Sequence, residues 1–588
     1  MIGFASKRSW FVLVVVMLSV WQSPAGAQPI YKNSPSATEG YLPGYFAMGA
    51  QDYQSAAGFF KLLFQQQPRD IAIQRQLFLA LCQIGQTKEA GALVESLRKE
   101  NIDFPLLHLV AGVNSLTHDS KREGIATAEA EFKALQNQKD DFFKTFSTFL
   151  QLWTGVMTSS QTSPFAIDLA WAEQKLQSLR DRRGLAEMYW LNLGIIAELA
   201  GKNEQADHFY KQLWQAAPNP SLRTLEIIGI FYARYNPTAA NPVVLKLQQQ
   251  LTVLGRDPKV LNLINILNTP ELLPPKAINS AEQGMAELFF NFAGVLSQRQ
   301  EGELAVPIYW LALELRPDLS QARLALASTL QQMGRFDEAL VQYRQIGETS
   351  YFSPLAQFQV AVIFSGQNKP EEALTQLRQL SAIYPEWITL YNFRADLLRG
   401  QKRFVEAIPF YDQALKLTEQ LMLQNPNSIE IKKALAGLYF SRGIAYASSK
   451  QLPLGEADFQ KSIDLVPNIA PVLNYLAYSW ADQGIKLDQA LQMLRKADQL
   501  EPDQGYILDS IGWAYYRLKQ YDQAVAYLER AIVLEPMEAE INDHLGDIYW
   551  AINRKREALF QWQRALRFNP EPETIPLIQQ KIQQGLPK

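Results

Sequence analysis

The residues of this chain with the widest chemical repertoire are four histidines and one cysteine, which are His108, His118, His208, His544 and Cys82. A hydrolase would need such a group beside a base, a nucleophile or a metal ion. None of the histidines stands in an HExxH pattern, none lies near the cysteine in sequence, and no GxxxxGK[ST] or GxSxG motif occurs. The sequence therefore predicts a non-catalytic protein with no cofactor and no metal site.

Charge and composition narrow the classes of partner. The 588 residues carry 56 basic and 59 acidic side chains, and 47% of the residues are hydrophobic. A nearly balanced charge provides neither a nucleic-acid surface nor a polybasic lipid anchor, and this apolar content is ordinary for a folded domain. We predict protein partners, with no nucleic acid and no small-molecule substrate. A single cysteine also excludes a disulfide framework, which modestly favours a bacterial periplasm over a harsher extracellular setting.

The amino terminus reads as an export signal. Residues 1–27 combine a basic start at Lys7 and Arg8, an apolar run from Trp10 to Trp21, and small residues up to Ala27. This order is typical of a secretory signal peptide, so we expect cleavage after Ala27 and a periplasmic protein. The alternative is an uncleaved anchor, but the apolar run is shorter than the roughly 20 residues that a spanning helix needs.

A repeat organises the rest of the chain. The segment that begins at Gly505 reads GYILDSIGWAYYRLKQYDQAVAYLERAIVLEP, and a second segment of the same pattern ends at Pro570. Small residues, aromatics and a closing proline recur one repeat length apart, as in the pairs Gly512 and Gly546, Ala524 and Ala558, Ala531 and Ala565, and Pro536 and Pro570. This pattern, with its period of about 34 residues, closely resembles the tetratricopeptide repeat. The resemblance implies an all-α fold, an α-solenoid or superhelix of antiparallel helix pairs.

The strength of the periodicity suggests a division of the mature chain. We predict a linker at 28–43, degenerate helical repeats at 44–268, a proline-rich junction at 269–285 with the main boundary at 269–276, eight regular units at 286–570, and a capping helix at 571–588. The step from Ala395 to Gly443 is longer than the others, so about fourteen residues should lengthen a helix or a connection there. The capping helix should cover the otherwise exposed apolar end of the last unit.

The resemblance also suggests a binding surface. In tetratricopeptide repeats, certain positions of the first helix of each unit face an inner groove. In the last three units these positions form a strip of aromatic and acidic residues, which are Tyr478, Tyr506, Asp509, Trp513, Tyr516, Asp543, Asp547 and Trp550. We interpret this strip as a peptide groove whose carboxylates meet a basic partner. The alternative is that the aromatics only pack between neighbouring units.

Three segments, NYLAYSWADQG, LDSIGWAYYRL and INDHLGDIYW, resemble a subgroup of exported, envelope-associated bacterial tetratricopeptide proteins. Some members of that subgroup are outer-membrane lipoproteins that present cell-wall hydrolases to a processing protease. This chain lacks their lipid-bearing cysteine, so membrane contact would be peripheral or through an uncleaved signal. The resemblance implies a periplasmic adaptor or scaffold. The alternative is an accessory of a cell-wall enzyme with an unrecognised catalytic site.

Overall fold

The computed structural model describes residues 37–586, apart from positions 162, 164–165, 181, 183, 254–256, 273–275 and 349. The predicted signal peptide at 1–27 lies outside the described residues. The described residues form helices and no strand. Successive helices are joined by short turns and pack as antiparallel pairs, which confirms the predicted all-α solenoid. None of the described helices is both long and apolar enough to cross a membrane.

By its contacts the chain divides into two compact units. The first comprises Met1–Gln151 with Val306–Glu314, and the second comprises Leu152–Ala305 with Leu315–Lys588. The division therefore falls between Gln151 and Leu152, whereas the sequence placed the main boundary at 269–276. The proline-rich segment interrupts the helices, but the helices on both sides of it pack within the second unit.

The first unit contains short helices and begins earlier than the sequence predicted. Its helices are Ala37–Gly49, Tyr53–Gln66, Ile71–Gln83, Thr87–Gly91, Val94–Lys99, Pro105–His118, Lys121–Ala134, and the start of Asp141–Ser160. Residues 37–43, predicted as part of a linker, belong to the first helix. Gly44 of that helix lies so close to Phe60 of the next helix that a Cβ atom there would come within 2.9 Å of the ring. The helix is thus the first member of a packed pair.

The second unit contains the remaining helices, apart from the segment Val306–Glu314. Before the regular repeats these are Leu169–Leu176, Ala186–Leu199, Asn203–Ala216, Leu222–Tyr235, Pro237–Val253 and Pro258–Asn268. In the regular part, helices Ala281–Gln298 and Gly302–Leu315 come first along the chain, and seven packed pairs follow among the described residues, which are Ser320–Gln332 with Phe336–Arg344, Ser353–Gly366 with Pro370–Ile383, Ile388–Gly400 with Phe404–Gln424, Ile429–Ser448 with Leu452–Leu465, Ala470–Gln483 with Leu487–Leu500, Gly505–Arg517 with Tyr521–Leu534, and Ala539–Ala551 with Lys555–Arg567. The helix Ala281–Gln298 starts inside the predicted junction 269–285, because Ser280 caps it by accepting a hydrogen bond from the Gln283 backbone N–H.

The repeat period is visible in the backbone of the turns. Gln300, Gly334, Asn368 and Lys402 follow one another at one repeat length, and each adopts a left-handed conformation, with φ of 63°, 78°, 58° and 61°. Each of these residues lies in the turn between two successive helices, where a left-handed residue ends the first helix and lets the chain change direction.

Glycines allow the two helices of a pair to approach closely. Gly512 faces Leu528 and Gly546 faces Trp562, and a Cβ atom at either glycine would come within 2.5 Å of that side chain. The same spacing of sixteen residues joins Gly194 to Tyr210 in the irregular part. The degenerate repeats therefore use the packing contact that defines the regular ones.

The insertion and the carboxyl-terminal segment are both helical. The extra residues of the long step lengthen two helices, Phe404–Gln424 and Ile429–Ser448, to 21 and 20 residues. The chain ends on helix Ile575–Gln584, whose Ile578 side chain is 1% exposed and packs on the core of the last units. This last helix covers the apolar end of the stack, in the place where the sequence predicted a cap.

Candidate protein-binding site

The predicted strip, which we call the C-terminal strip, lies partly around a buried histidine. His544 lies with its Nδ1 atom 3.0 Å from an Asp509 carboxylate oxygen. The ring of Trp513 stacks on the imidazole at 4.1 Å between centroids, and Tyr516 stacks on Trp513 at 4.9 Å. Only 8% of the Trp513 surface is exposed. Trp513 and Tyr516 lie together in the structure, and His544, which contacts Trp513, occupies a helical position that the sequence analysis did not single out.

The contact between His544 and Asp509 changes the pKa values of both groups. Burial by itself would lower the pKa of His544, but the negative charge of Asp509 outweighs burial and raises the pKa to about 9. Burial also raises the pKa of Asp509, against the opposing effect of the imidazolium. The histidine is therefore protonated at neutral pH and neutralises the central carboxylate of the strip.

The last helix neutralises the other two aspartates. Lys581 donates hydrogen bonds to Asp543 at 2.8 Å and to Asp547 at 2.8 Å. Asp547 also accepts a hydrogen bond of 2.9 Å from the indole N–H of Trp562. The ring of Trp550 packs against Trp562 with 5.3 Å between centroids. The sequence analysis did not identify Lys581 as the partner of these aspartates, because it lies outside the repeats.

The remaining members of the strip are also engaged within the chain. The Tyr478 hydroxyl donates a 2.6 Å hydrogen bond to Glu540, and the Tyr506 backbone N–H lies 3.3 Å from a Glu535 carboxylate oxygen. All three aspartates of the strip have a cation within hydrogen-bond distance. A basic partner would have to displace these internal cations, so the geometry favours packing. A binding role for the strip stays a prediction.

The second unit contains a cavity on the inner face of its helix pairs, which we call the central cavity. Its volume is about 580 Å³. First helices of several consecutive pairs supply most of its lining, including Glu187, Met188, Leu191, Arg223, Thr224, Phe290, Asn291, Gly294, Val295, Gln298, Gln321, Leu324, Ala325, Ser328, Leu355 and Gln359. Several of these residues occupy equivalent positions one repeat apart, such as Phe290 with Leu324 and Gln321 with Leu355. The cavity thus follows the register of the repeat.

The lining combines apolar side chains with amides and hydroxyls. Phe290, Leu324 and Leu355 are partly exposed and provide apolar contact area, while Gln321 and Gln359 carry groups that can donate and accept hydrogen bonds. A concave, mostly apolar surface with a few polar groups is typical of a binding site. The sequence analysis missed this site because its side chains carry no distinctive chemistry, although the repeat spacing would have aligned them.

A buried ionic network supports one wall of the central cavity. Arg223 contacts Glu226 at 2.7 Å and Glu287 at 3.1 Å, and Arg316 reaches the same Glu287 at 3.2 Å. Burial by itself would lower the pKa of Arg223, but the two carboxylates outweigh burial and raise it. Gln321 donates a 3.1 Å hydrogen bond to Glu226. The network fixes three helices relative to one another, so this wall is preorganised.

No metal-binding arrangement accompanies these surfaces in the described part of the chain. No group of three or more His, Cys, Asp or Glu side chains there is arranged to hold a metal ion. Cys82 is buried in the first unit, and burial raises the pKa of its thiol.

Comparison with known proteins agrees with the repeat architecture. The sequence model of the family described as Tetratricopeptide repeat matches residues 358–421 and 510–571. These two segments therefore carry tetratricopeptide repeats, as the resemblance implied. A stack of such repeats provides an extended surface suited to protein–protein interaction.

One curated relative and two solved structures show the range of similarity. The TPR repeat-containing protein PA4667 of Pseudomonas aeruginosa is 28% identical over 180 residues, which are 30% of this chain and 28% of the relative. The chain thus spans just over a quarter of that relative's length. A tetratricopeptide repeat protein from Parabacteroides merdae is 16% identical with a TM-score of 0.37, and covers 45% of this chain and 99% of its own. The APC/C hetero-tetramer Cut9-Hcn1 is 14% identical with a TM-score of 0.36, over 94% of this chain and 97% of that one.

Proposed function

We propose that this protein is a non-catalytic scaffold that binds a segment of a partner protein in the central cavity. The observation that carries the proposal is the lining, in which positions one repeat apart, such as Phe290 with Leu324 and Gln321 with Leu355, present apolar and amide side chains to the same cavity. An extended peptide presents alternating side chains and regularly spaced backbone amides. A surface with regularly spaced apolar and amide groups complements such a ligand along its length.

Preorganisation supports this choice over the C-terminal strip. The wall formed by Arg223, Glu226 and Glu287 is buried and internally paired, so little ordering is required when a ligand binds. The cavity also leaves Leu324 and Leu355 partly exposed, whereas Trp513 of the strip is covered by its neighbours. Apolar area that is accessible before binding can contribute to affinity when the partner covers it.

We further propose that the protein is exported and works in the periplasm with envelope proteins. Cell-wall hydrolases and a processing protease are the partner class that the resemblance suggests. The order of basic, apolar and small residues in 1–27 supports export. Cell fractionation followed by mass spectrometry of the mature amino terminus tests this proposal. A protein that begins at Gln28 in the periplasmic fraction is expected, and an intact Met1 in a cytoplasmic fraction would contradict export.

Site-specific photo-crosslinking tests the binding site. A photoreactive amino acid at Leu324, inside the cavity, should crosslink a discrete partner in envelope extracts. The same amino acid at Val341, which is 49% exposed on a second helix, provides the matched control. We expect the crosslinked product at Leu324 only. Equal products at both positions, or a product at Val341 alone, would contradict a site in the central cavity. Purified protein alone should leave peptidoglycan and peptide substrates unchanged.

A further inference from the structure

A second cavity, which we call the junction cavity, adjoins the central cavity and has an excess of positive charge. Its volume is about 550 Å³, and it shares Arg223, Glu226, Gln321 and Phe352 with the central cavity. Its ionisable lining otherwise consists of Lys276, Arg316, Arg323, Asp318 and Tyr351. Four cations and two carboxylates therefore line this cavity, and Glu287 next to the lining pairs with Arg223 and Arg316, so the excess of positive charge rests on Arg323 and Lys276.

Arg323 is a cation of this cavity that has only neutral hydrogen-bond acceptors as partners. Its guanidinium donates hydrogen bonds to Gln342 at 2.9 Å, to Gln345 at 2.6 Å and to the Pro317 carbonyl oxygen at 3.1 Å. All three acceptors are neutral, and no carboxylate lies within salt-bridge distance among the described residues. Burial lowers the pKa of Arg323, but an arginine stays protonated at neutral pH. The structure thus retains a partly buried positive charge without a counter-ion.

Lys276 adds a second cation of this kind. Its ammonium group donates a 2.6 Å hydrogen bond to the backbone carbonyl oxygen of Glu198, and in the described structure it has no carboxylate within salt-bridge distance. Burial raises the pKa of the Glu198 carboxyl group to about 7, and that group accepts a hydrogen bond from Tyr210. The charge of Lys276 acts on the Glu198 carboxyl group through space, but that group takes its hydrogen bond from Tyr210. By contrast, Arg223 and Arg316 both contact Glu287.

From this charge complementarity we propose that the junction cavity binds a carboxylate side chain of an acidic partner segment, whose neighbouring apolar residues lie in the central cavity. The inference rests on the proposed function and specifies the partner: an extended peptide in which Asp or Glu accompanies apolar residues. Ion pairs with Arg323 and Lys276 would supply carboxylate contacts that neither cation makes among the described residues. This is the opposite of the basic partner predicted from the C-terminal strip.

Binding of synthetic peptides tests the proposal. Three fluorescent peptides are compared by anisotropy on the full chain, one alternating leucine with glutamate, one with glutamine and one with lysine. We expect the glutamate peptide to bind about tenfold more tightly than the glutamine peptide. A difference of this size in affinity corresponds to one charge-assisted contact. The preference should shrink at high salt, because screening weakens ion pairs that reach solvent.

Two variants assign the preference to the junction cavity. Arg323→Gln and Lys276→Gln should each reduce the preference for glutamate severalfold while retaining the helical circular dichroism spectrum. Arg530→Gln is the matched control, because Arg530 pairs with Asp503 on an exposed surface far along the sequence. That variant should keep the full preference. A preference that survives both cavity variants, or equal binding of all three peptides by the unaltered protein, would overturn the proposal.

The outcomes also separate this inference from the proposed function. Crosslinking at Leu324 with no preference for the acidic peptide would retain the binding site and reject the acidic partner. The opposite result is also possible: no crosslinking at Leu324, but a glutamate preference that Arg323→Gln removes. That result would retain the anion site and reject the central cavity as the main partner site. Failure of both measurements would reject both proposals.

Discussion

Replacing Trp513 by alanine distinguishes packing from binding in the C-terminal strip. The indole is 8% exposed, stacks on His544 at 4.1 Å and on Tyr516 at 4.9 Å, and its N–H has no hydrogen-bond partner among the described residues. Truncation would leave a cavity between helices Gly505–Arg517 and Ala539–Ala551 without removing a hydrogen bond. Burial of this size corresponds to a loss of about 3–5 kcal/mol in the free energy of unfolding.

Local stability is the more specific readout, because stacked repeats can unfold in parts and a thermal unfolding curve sums over them. Hydrogen exchange of the two flanking helices should accelerate in Trp513→Ala. Phe560→Ala is the matched control, since Phe560 is an aromatic of the same region that is 57% exposed, and its truncation should change local stability by less than about 0.5 kcal/mol. If Trp513→Ala exchanged like the control while partner capture fell sharply, the packing interpretation would be refuted and Trp513 would be a binding anchor.

Three further predictions concern the same region. Ala524→Leu should overpack a fully buried helix contact and cost about 1–3 kcal/mol, and an unchanged thermal unfolding curve would argue against the assigned register. The pKa of His544 is raised to about 9, so its stabilising contribution is complete below about pH 6.5 and is lost as the pH rises through 9, a difference of about 3 kcal/mol. Thermal unfolding should show this decline in the wild type and not in His544→Gln; equal slopes would refute the assignment. Lys581→Met leaves Asp543 and Asp547 without their cation and should destabilise the last helix by about 3 kcal/mol. Hydrogen exchange of Ile575–Gln584 should then be faster. Unchanged exchange would show that the ion pairs are dispensable.

The repeat pattern predicted much of the fold because it encodes a contact. Gly512 and Gly546 recur one repeat apart since each must accommodate a large side chain sixteen residues later, and the structure shows that contact. The start of the first unit was harder to predict. Residues 37–43 contain a glycine and a proline and look like a linker, yet Gly44 makes the same contact with Phe60, sixteen residues on. Spacing was a better guide there than composition.

The candidate sites were harder to predict from the sequence than the fold was. In the structure Asp509 contacts His544 and Asp547 contacts Lys581, and no repeat position identifies these two partners. Whether the strip binds or packs depends on these contacts. The central cavity required the irregular helices before the proline-rich segment to pack near the regular ones. That arrangement follows from tertiary contacts between residues far apart in sequence, such as those that Arg223 makes with Glu287.

Hydrogen exchange of the protein with and without its captured partner tests the central claim most directly. A partner segment in the central cavity should slow exchange in helices Ser320–Gln332 and Ser353–Gly366, whose side chains line it. Helices Gly505–Arg517 and Ala539–Ala551, which carry most of the C-terminal strip, should exchange as in the free protein. Protection confined to the latter two helices would contradict the account and place the partner on the C-terminal strip.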